Sequence, residues 1–303
     1  MKILCAVDGS EFSLWALECV GKLFRHSVKE LVLLHVVDPR ILRGGGGKGS
    51  KKDEPFAKDI SRKLETAGQK VLTGCAHRME LVLSQATTKP FAAIRTVLVK
   101  GHGADAIIHY AEKTRPDLVV VGSRGMNDLP GYLLGSLSRT VLTHSPCSVL
   151  TVKGPIIDVP VTALIALDGS KSSKFAANRV KEWLSPEEVS LQLVSVVPDI
   201  LTDASRKIFP KSRLKALVAP LRQQAQECLE QYRELFLKEG FQVTGKRLQG
   251  NPREQIVESV PTCHAQLVVM GSKGLTGVER FTMGSVSEWV SAYAPSSVLV
   301  VRH

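Results

Sequence analysis

The sequence predicts an α/β protein of two tandem domains, each built on an open parallel sheet with helices on both faces. Its 303 residues are enough for two domains of about 100–200 residues each. Apolar strand-like segments alternate with amphipathic helix-like segments, and strands that are apolar on both faces belong to parallel sheets covered on both sides. The two halves also repeat the same short sequences in the same order, which indicates two copies of one unit.

The repeat is clearest at the ends of two strands. Residues 3–10 read ILCAVDGS and residues 163–170 read ALIALDGS, while LVVVGS at 118–123 matches LVVMGS at 267–272. The offset between copies falls from 160 residues at the first match to 149 at the second, so the first copy carries an insertion of 11 residues. The segment 43–53, RGGGGKGSKKD, has that length and the composition of a flexible surface loop.

Short apolar runs predict the strands, and longer amphipathic stretches predict the helices. The first copy gives strands at 2–8, 31–37, 94–100, 117–122 and 147–153 and helices at 10–25, 58–85, 103–114 and 136–144. The second gives strands at 162–168, 189–197, 241–248, 266–271 and 296–302 and helices at 171–184, 212–238, 252–261 and 285–293. Gly154, Pro155 and Pro160 interrupt regular structure between the copies. We therefore expect domains at 1–153 and 154–303.

Composition narrows the class of protein. The net charge of +11 attracts polyanions, but the basic residues are spread along the chain without a basic helix or an aromatic-interleaved patch. Nucleic acid is therefore not an expected partner; a nucleic-acid binder would show a steep salt dependence of affinity. The six cysteines form no C-x-x-C pair and their spacing does not repeat, which argues against a disulfide framework or a zinc site.

The sequence also predicts a cytoplasmic location. It contains no run of about 18 apolar residues, so no membrane span is expected. Residues 2–7, KILCAV, open directly into a strand-like stretch, without the apolar region and small-residue cleavage site of a secretory signal.

One glycine spacing occurs twice, each time between the end of a strand and the start of a helix. Glycines let the backbone approach a phosphate closely, and N–H groups at a helix start supply donors and a positive potential. The closing serine can donate to a phosphate oxygen or serve as a plain N-cap, and a simple glycine turn is the alternative for the whole segment. The spacing G-x2-G-x9-G-S comprises Gly122, Gly125, Gly135 and Ser136, and again Gly271, Gly274, Gly284 and Ser285.

Charged residues accompany each glycine loop. Arg124 and Lys273 occupy equivalent positions inside the loops, where they add charge for phosphate binding or are simply solvated. Asp8 and Asp168 end the first strand of each copy, at the carboxyl edge where open parallel sheets bind ligands. Such a carboxylate can hold ribose hydroxyls, orient base contacts or hold Mg²⁺ through water. Capping of the next helix is the alternative.

The remaining motifs do not support NAD binding or a common catalytic mechanism. Residues 101–106, GHGADA, fit a dinucleotide fingerprint but follow the third strand, and the equivalent residues 250–255, GNPREQ, lack it, so NAD binding is not expected. His102 and His109 have no repeated partner and are expected at the surface. No G-x-S-x-G, H-E-x-x-H or kinase motif set is present. The sequence therefore identifies no catalytic residue.

Over nearly the whole chain, these residues resemble the universal stress protein (UspA) family. In that family G-x2-G-x9-G-[ST] marks the nucleotide-binding members, and the motif is complete in both copies. The resemblance implies an adenine nucleotide alpha hydrolase-like fold with a five-stranded parallel sheet of order 3-2-1-4-5 in each domain. It also implies ATP, or AMP or ADP, between the strand-1 aspartate and the glycine loop, with the backbone of Val36 and Val196 pairing with adenine.

The resemblance carries two further implications. Family members dimerise through the last strand, so strands 148–152 and 297–301 are expected to pair within this chain, and a homodimer is a further alternative. The family often has G-x-P after the third strand; Gly250-Asn-Pro252 keeps it, but Gly101-His-Gly103 departs from it. The departure leaves the geometry of that loop in the first copy open.

The function favoured by the sequence is therefore an adenine-nucleotide-binding regulatory module of the stress response with little or no catalysis. The alternative is a weak ATPase or phosphotransferase that uses the same sites. Phosphoryl transfer needs bound metal and a positioned nucleophile, and only Asp8 and Asp168 offer metal contacts, through water.

Overall fold

The computed structural model describes residues 1–38, 54–84, 93–125, 134–157, 159–199, 211–275 and 283–303. Within these ranges the chain forms two compact units, Met1–Pro155 and Ile156–His303. The expected insertion at 43–53 lies outside the described residues. Each unit alternates strands and helices and pairs its strands in parallel, so the predicted α/β class is confirmed.

The first unit contains a five-stranded parallel sheet of order β3-β2-β1-β4-β5, which is the predicted order. The described elements are β1 Lys2–Ala6, α1 Glu11–Leu23, β2 Glu30–Val37, α2 Glu54–Ser84, β3 Ala93–Lys100, α3 Gly103–Thr114, β4 Leu118–Gly122, α4 Ser136–His144 and β5 Ser148–Val152.

The second unit repeats this architecture with the order β10-β9-β6-β7-β8. Its described elements are β6 Val161–Ala166, α5 Lys171–Trp183, β7 Val189–Pro198, α6 Lys211–Lys238, β8 Val243–Gly250, α7 Pro252–Thr262, β9 Leu267–Gly271, α8 Ser285–Tyr293 and β10 Ser297–Val301.

The strands at the centre of each sheet form its core. The side chains of β4 from Leu118 to Val121 are at most 1% exposed, as expected for a parallel strand that is covered on both faces. Strands β3 and β8 differ, because all of their residues are exposed or half-buried. They carry charged residues, including Arg95, Lys100, Lys246 and Arg247.

The cysteines are distributed as small core residues would be. Cys5, Cys19, Cys75 and Cys228 are buried, Cys147 and Cys263 are half-buried, and all six are free thiols. Burial raises the pKa of the Cys19 thiol to about 12, so this sulfur stays protonated and inert at neutral pH.

The first strand of each unit ends earlier than predicted. Strands β1 and β6 stop at Ala6 and Ala166, so Asp8 and Asp168 lie in the turn after the strand rather than at its last residue. The chain turns directly after each aspartate, where Gly9 and Gly169 have φ values of +82° and +78° that suit glycine but not a residue with a side chain.

The first glycine of each repeated spacing is required by packing inside the protein. A Cβ atom built on Gly122 would lie 2.9 Å from the backbone carbon of Phe12 in α1, and one on Gly271 would lie 2.6 Å from that of Ser172 in α5. Contacts under about 3.0 Å are not tolerated by real Cβ atoms. Glycine here lets the first turn of a helix lie directly on the end of the fourth strand.

This packing predicts that Gly122→Ala and Gly271→Ala each lower the free energy of unfolding of their own unit by about 1–3 kcal/mol, because the added methyl group overpacks against backbone. The matched control is Gly74→Ala in α2, where a Cβ meets nothing within 4 Å. There alanine should raise stability by up to about 1 kcal/mol. Urea unfolding followed by circular dichroism measures both, and an unchanged midpoint for Gly122→Ala would contradict the assignment.

Candidate functional site

Two turns come together at the carboxyl edge of the sheet in each unit. Strand β1 pairs with β4, with Ile3 opposite Leu118, and β6 pairs with β9, with Ala163 opposite Leu267. Parallel neighbours end at the same edge, so the turn after the first strand lies beside the glycine loop after the fourth. This is where ligands bind in open parallel sheets.

The aspartates organise their own turns but do not cap the helices. Asp8 Oδ1 and Asp168 Oδ1 accept a hydrogen bond from the N–H of Ser10 and Ser170, each at 2.9 Å. The N-caps are the serines themselves, whose hydroxyl oxygens accept from the N–H three residues further on. The alternative that the aspartates cap α1 and α5 is therefore wrong, because serine already satisfies that helix end.

In the second unit the aspartate also contacts the glycine loop. Asp168 Oδ2 accepts a hydrogen bond from the Leu275 N–H at 3.2 Å, and a Cβ on Gly274 would lie 3.0 Å from the same oxygen. The Ser170 hydroxyl donates to the Lys273 carbonyl at 3.4 Å. The structure thus places Asp168 beside the part of the loop that contains Lys273 and Gly274.

The first unit has a side-chain contact that sequence reasoning missed. His35 on β2 donates from Nδ1 to the Val7 carbonyl at 2.7 Å, which fixes the peptide immediately before Asp8. A carbonyl only accepts, so the Nδ1 atom carries the proton. At the offset of 160 the equivalent residue in the second copy is Ser195. The difference between histidine and serine at this position is the sequence signal that could have singled out His35.

Backbone hydrogen bonds tie the two ends of each glycine loop together. The Ser123 N–H donates to the Val152 carbonyl at 2.7 Å, and the Gly135 N–H donates to the Ser123 carbonyl at 2.7 Å. Ser272 repeats the pattern with Val301 and Gly284, at 3.0 and 2.7 Å. Each loop is therefore anchored between the last strand and the start of a helix. Residues 126–133 and 276–282, in the middle of the loops, lie outside the described ranges.

The helices that follow the loops begin without a side-chain cap. Gly135 and Gly284 are the N-caps of α4 and α8, and neither cap supplies a side-chain hydrogen bond. Ser136 and Ser285 are the first helical residues and are exposed, so the alternative that these serines are N-caps is wrong. The first-turn N–H groups have no intrahelical partner, and together with the helix dipole they suit an anion such as phosphate.

Cations flank this helix start in the first unit. The guanidinium of Arg124 lies 5.7 Å from the ring centroid of Phe12. Lys153 directly follows β5, and its pKa is lowered to about 8, first by burial and then by the positive charge of Arg124. Lys153 was not among the residues predicted from the sequence. The available signal was that both copies place a basic residue directly after the last strand, Lys153 and Arg302.

Val36 and Val196 lie near the carboxyl ends of the second strands. Val36 on β2 is opposite Val99, and Val196 on β7 is opposite Leu248; both are half-buried. Because β2 and β7 are direct neighbours of β1 and β6, these valines lie at the same sheet edge as the aspartates. Their pairing with adenine stays a prediction.

The loop after β3 starts its helix at the equivalent residue despite its departure from G-x-P, but its backbone and cap differ from those of the second copy. Gly250 has a φ of +139°, which Gly101 does not share, and the Asn251 side chain caps its helix, whereas His102 makes no such bond. Helix α3 begins at Gly103 and α7 at Pro252, which are equivalent positions at the offset of 149. A Cβ on Gly101 would lie 3.1 Å from the Cβ of Ala106, so small residues here serve helix-on-strand packing. His102 and His109 are surface side chains, 55% and 65% exposed.

Two kinds of feature are absent from the described part of the chain. No group of three or more histidine, cysteine, aspartate or glutamate side chains there is arranged to hold a metal ion. Among the same residues, no helix combines the length and apolar character needed to cross a membrane.

Comparison with known proteins agrees with the repeated architecture. The universal stress protein family model matches residues 1–153 and again 162–302. A protein of Staphylococcus aureus strain USA300 that is named as a universal stress protein is 33% identical over 141 residues, 46% of this chain and 82% of that protein.

Solved structures support the same fold. A universal stress protein from Archaeoglobus fulgidus DSM 4304 superposes with a TM-score of 0.67 at 22% identity, covering 100% of this chain and 96% of its own. A Pseudomonas aeruginosa UCBPP-PA14 protein named for the same family superposes with a TM-score of 0.59 at 17% identity, covering 99% of this chain and 92% of its own. At these identities the superpositions show the fold alone. The family match covers both units, and the chain therefore belongs to the universal stress protein family, as a tandem of two such domains.

Proposed function

We propose that each unit binds one adenine nucleotide, with ATP as the first candidate and AMP or ADP as alternatives, and that occupancy regulates partner binding in a stress response. One observation carries the proposal. In both units a helix with a glycine N-cap, and hence without a side-chain cap, begins beside the aspartate turn. Backbone donors at a helix start and a nearby carboxylate are suited to the phosphate and ribose of one ligand.

Within this proposal each residue has a defined role. The glycines and serines of the loops donate backbone and hydroxyl hydrogen bonds to phosphate oxygens, and Arg124 and Lys273 add positive charge. Asp8 and Asp168 hold the ribose or orient the base, and they are the candidates for holding Mg²⁺ through water. The phosphate-binding set is Gly122, Gly125, Gly135 and Ser136 in the first unit and Gly271, Gly274, Gly284 and Ser285 in the second. The packing role of Gly122 and Gly271 makes their contribution to the ligand indirect.

Gly125→Val and Gly274→Val test the proposal, because each places a side chain where phosphate should lie. Each change should reduce the number of ATP molecules bound per chain from two to one, and the double variant should bind none. Isothermal titration calorimetry measures the stoichiometry. Gly74→Ala, on the exposed side of α2, is the control and should retain both sites.

Circular dichroism must show that the variants stay folded. The proposal fails if the folded double variant still binds two ATP molecules with wild-type affinity.

We further propose that the sites bind nucleotide without efficient turnover. The aspartates are already engaged by the N–H groups of Ser10 and Ser170, and Asp168 also accepts from Leu275. These bonds favour a fixed carboxylate that orients ligand over a general base that exchanges protons.

Phosphate release with Mg²⁺ separates the binding module from a weak ATPase or phosphotransferase. We expect less than about one turnover per minute, far below the common range of about 1–10³ per second, and no difference between the wild type and the Asp8→Asn/Asp168→Asn double variant. Sustained turnover that the double variant abolishes would favour the enzyme.

The remaining proposals concern organisation. We propose the domain boundary at 153/154, pairing of strands 148–152 and 297–301 within the chain, a homodimer as the alternative assembly, and a cytoplasmic location.

The proposed strand pairing can be tested by hydrogen exchange. Strand β5 pairs with β4, and β10 pairs with β9, so β5 and β10 each use only every second backbone N–H group in those ladders. Hydrogen exchange measured by NMR should find the other set protected in both strands. Rapid exchange of that set in both strands would contradict the pairing.

A further inference from the structure

A continuous row of backbone hydrogen bonds leads from the last strand to the helix start in both units. In the first unit it runs from the Val152 carbonyl to Ser123 and from the Ser123 carbonyl to Gly135, with both bonds at 2.7 Å. The residue after Val152 is Lys153. This row therefore fixes the backbone of Lys153 close to the N-terminus of α4.

The second unit has the same row with the same type of residue at its end. The Val301 carbonyl accepts from Ser272, and the Ser272 carbonyl accepts from Gly284; the residue after Val301 is Arg302. Each unit also has a cation inside the glycine loop, Arg124 or Lys273. Both sites thus carry two positive residues on the side of the fourth and fifth strands.

Two positive side chains near each other in a partly buried place repel, and an anion bound between them lowers that repulsion. Lys153 illustrates this, because burial and the charge of Arg124 lower its pKa to about 8. At neutral pH the ammonium form still predominates. A bound phosphate chain between the two side chains would remove the repulsion.

We infer that Lys153 and Arg302, paired with Arg124 and Lys273, contact the terminal phosphates of the bound nucleotide and make each site prefer a nucleoside triphosphate over a monophosphate. The inference rests on the proposed function.

The strand order explains why the distal phosphates are the ones contacted. Val36, the proposed adenine contact, is on β2, and Lys153 follows β5. Strands β2, β1, β4 and β5 are successive neighbours, about 4.8 Å apart at each step. A nucleotide with its base at β2 and its phosphates across β4 extends toward β5 only with its last phosphates. A monophosphate reaches the loop after β4 but ends before Lys153.

The test measures ATP and AMP affinities of the first site at neutral pH, using the full chain with Gly274→Val to silence the second. Lys153→Met should weaken ATP binding about tenfold, the loss expected for one charge-assisted hydrogen bond, and should change AMP affinity less than about twofold. Lys153→Arg keeps a cation and should restore ATP affinity. Lys113→Met removes the same charge from the last turn of α3, at the opposite edge of the sheet, and is the control.

The outcomes are distinguishable. An equal loss of ATP and AMP affinity in Lys153→Met, or no loss of either, would overturn the inference while leaving nucleotide binding intact. A wild-type chain that binds neither nucleotide would overturn the proposed function and this inference with it. Arg302→Met in a Gly125→Val chain repeats the measurement at the second site, and circular dichroism verifies that each variant is folded.

Discussion

The parallel backbone ladder between the first and fourth strands of each unit is the constraint on which the site depends. It aligns Ile3 with Leu118 and Ala163 with Leu267, so the turn after one strand and the loop after the other must leave the sheet side by side. The turn contributes a carboxylate fixed by a serine N–H, and the loop leads to a helix start with a glycine cap. The ladder brings these two elements together at one edge of the sheet.

Much of this arrangement could be predicted from the sequence, because it is encoded locally. Apolar runs of strand length and amphipathic runs of helix length are patterns of neighbouring residues, and the bounds of α3, α4 and α8 agree with the predicted ones. The repeat identified the glycine loops, since the same glycine spacing occurs at the equivalent place in both copies. Strand order followed from family resemblance, and the pairings confirm it.

What the sequence could not supply depends on contacts between distant residues. Gly122 was interpreted as making room for phosphate, but it makes room for the backbone of Phe12. Ser136 looked like an N-cap, but the chain turns one residue earlier, at Gly135. Lys153 has a basic counterpart in Arg302, but the sequence does not show what either side chain faces, and His35 has no histidine counterpart in the second copy. Their neighbours, Arg124 and the Val7 carbonyl, are brought close only by the fold.

The charged outer strands have a consequence for self-association. A strand at the end of a sheet presents unpaired backbone groups that can template another chain, and charged side chains discourage this. Strand β3 carries Arg95 and Lys100, and β8 carries Lys246 and Arg247, all exposed. Approach of a second such strand would set like charges against each other. These margins therefore disfavour edge-to-edge aggregation between copies of the chain at high protein concentration.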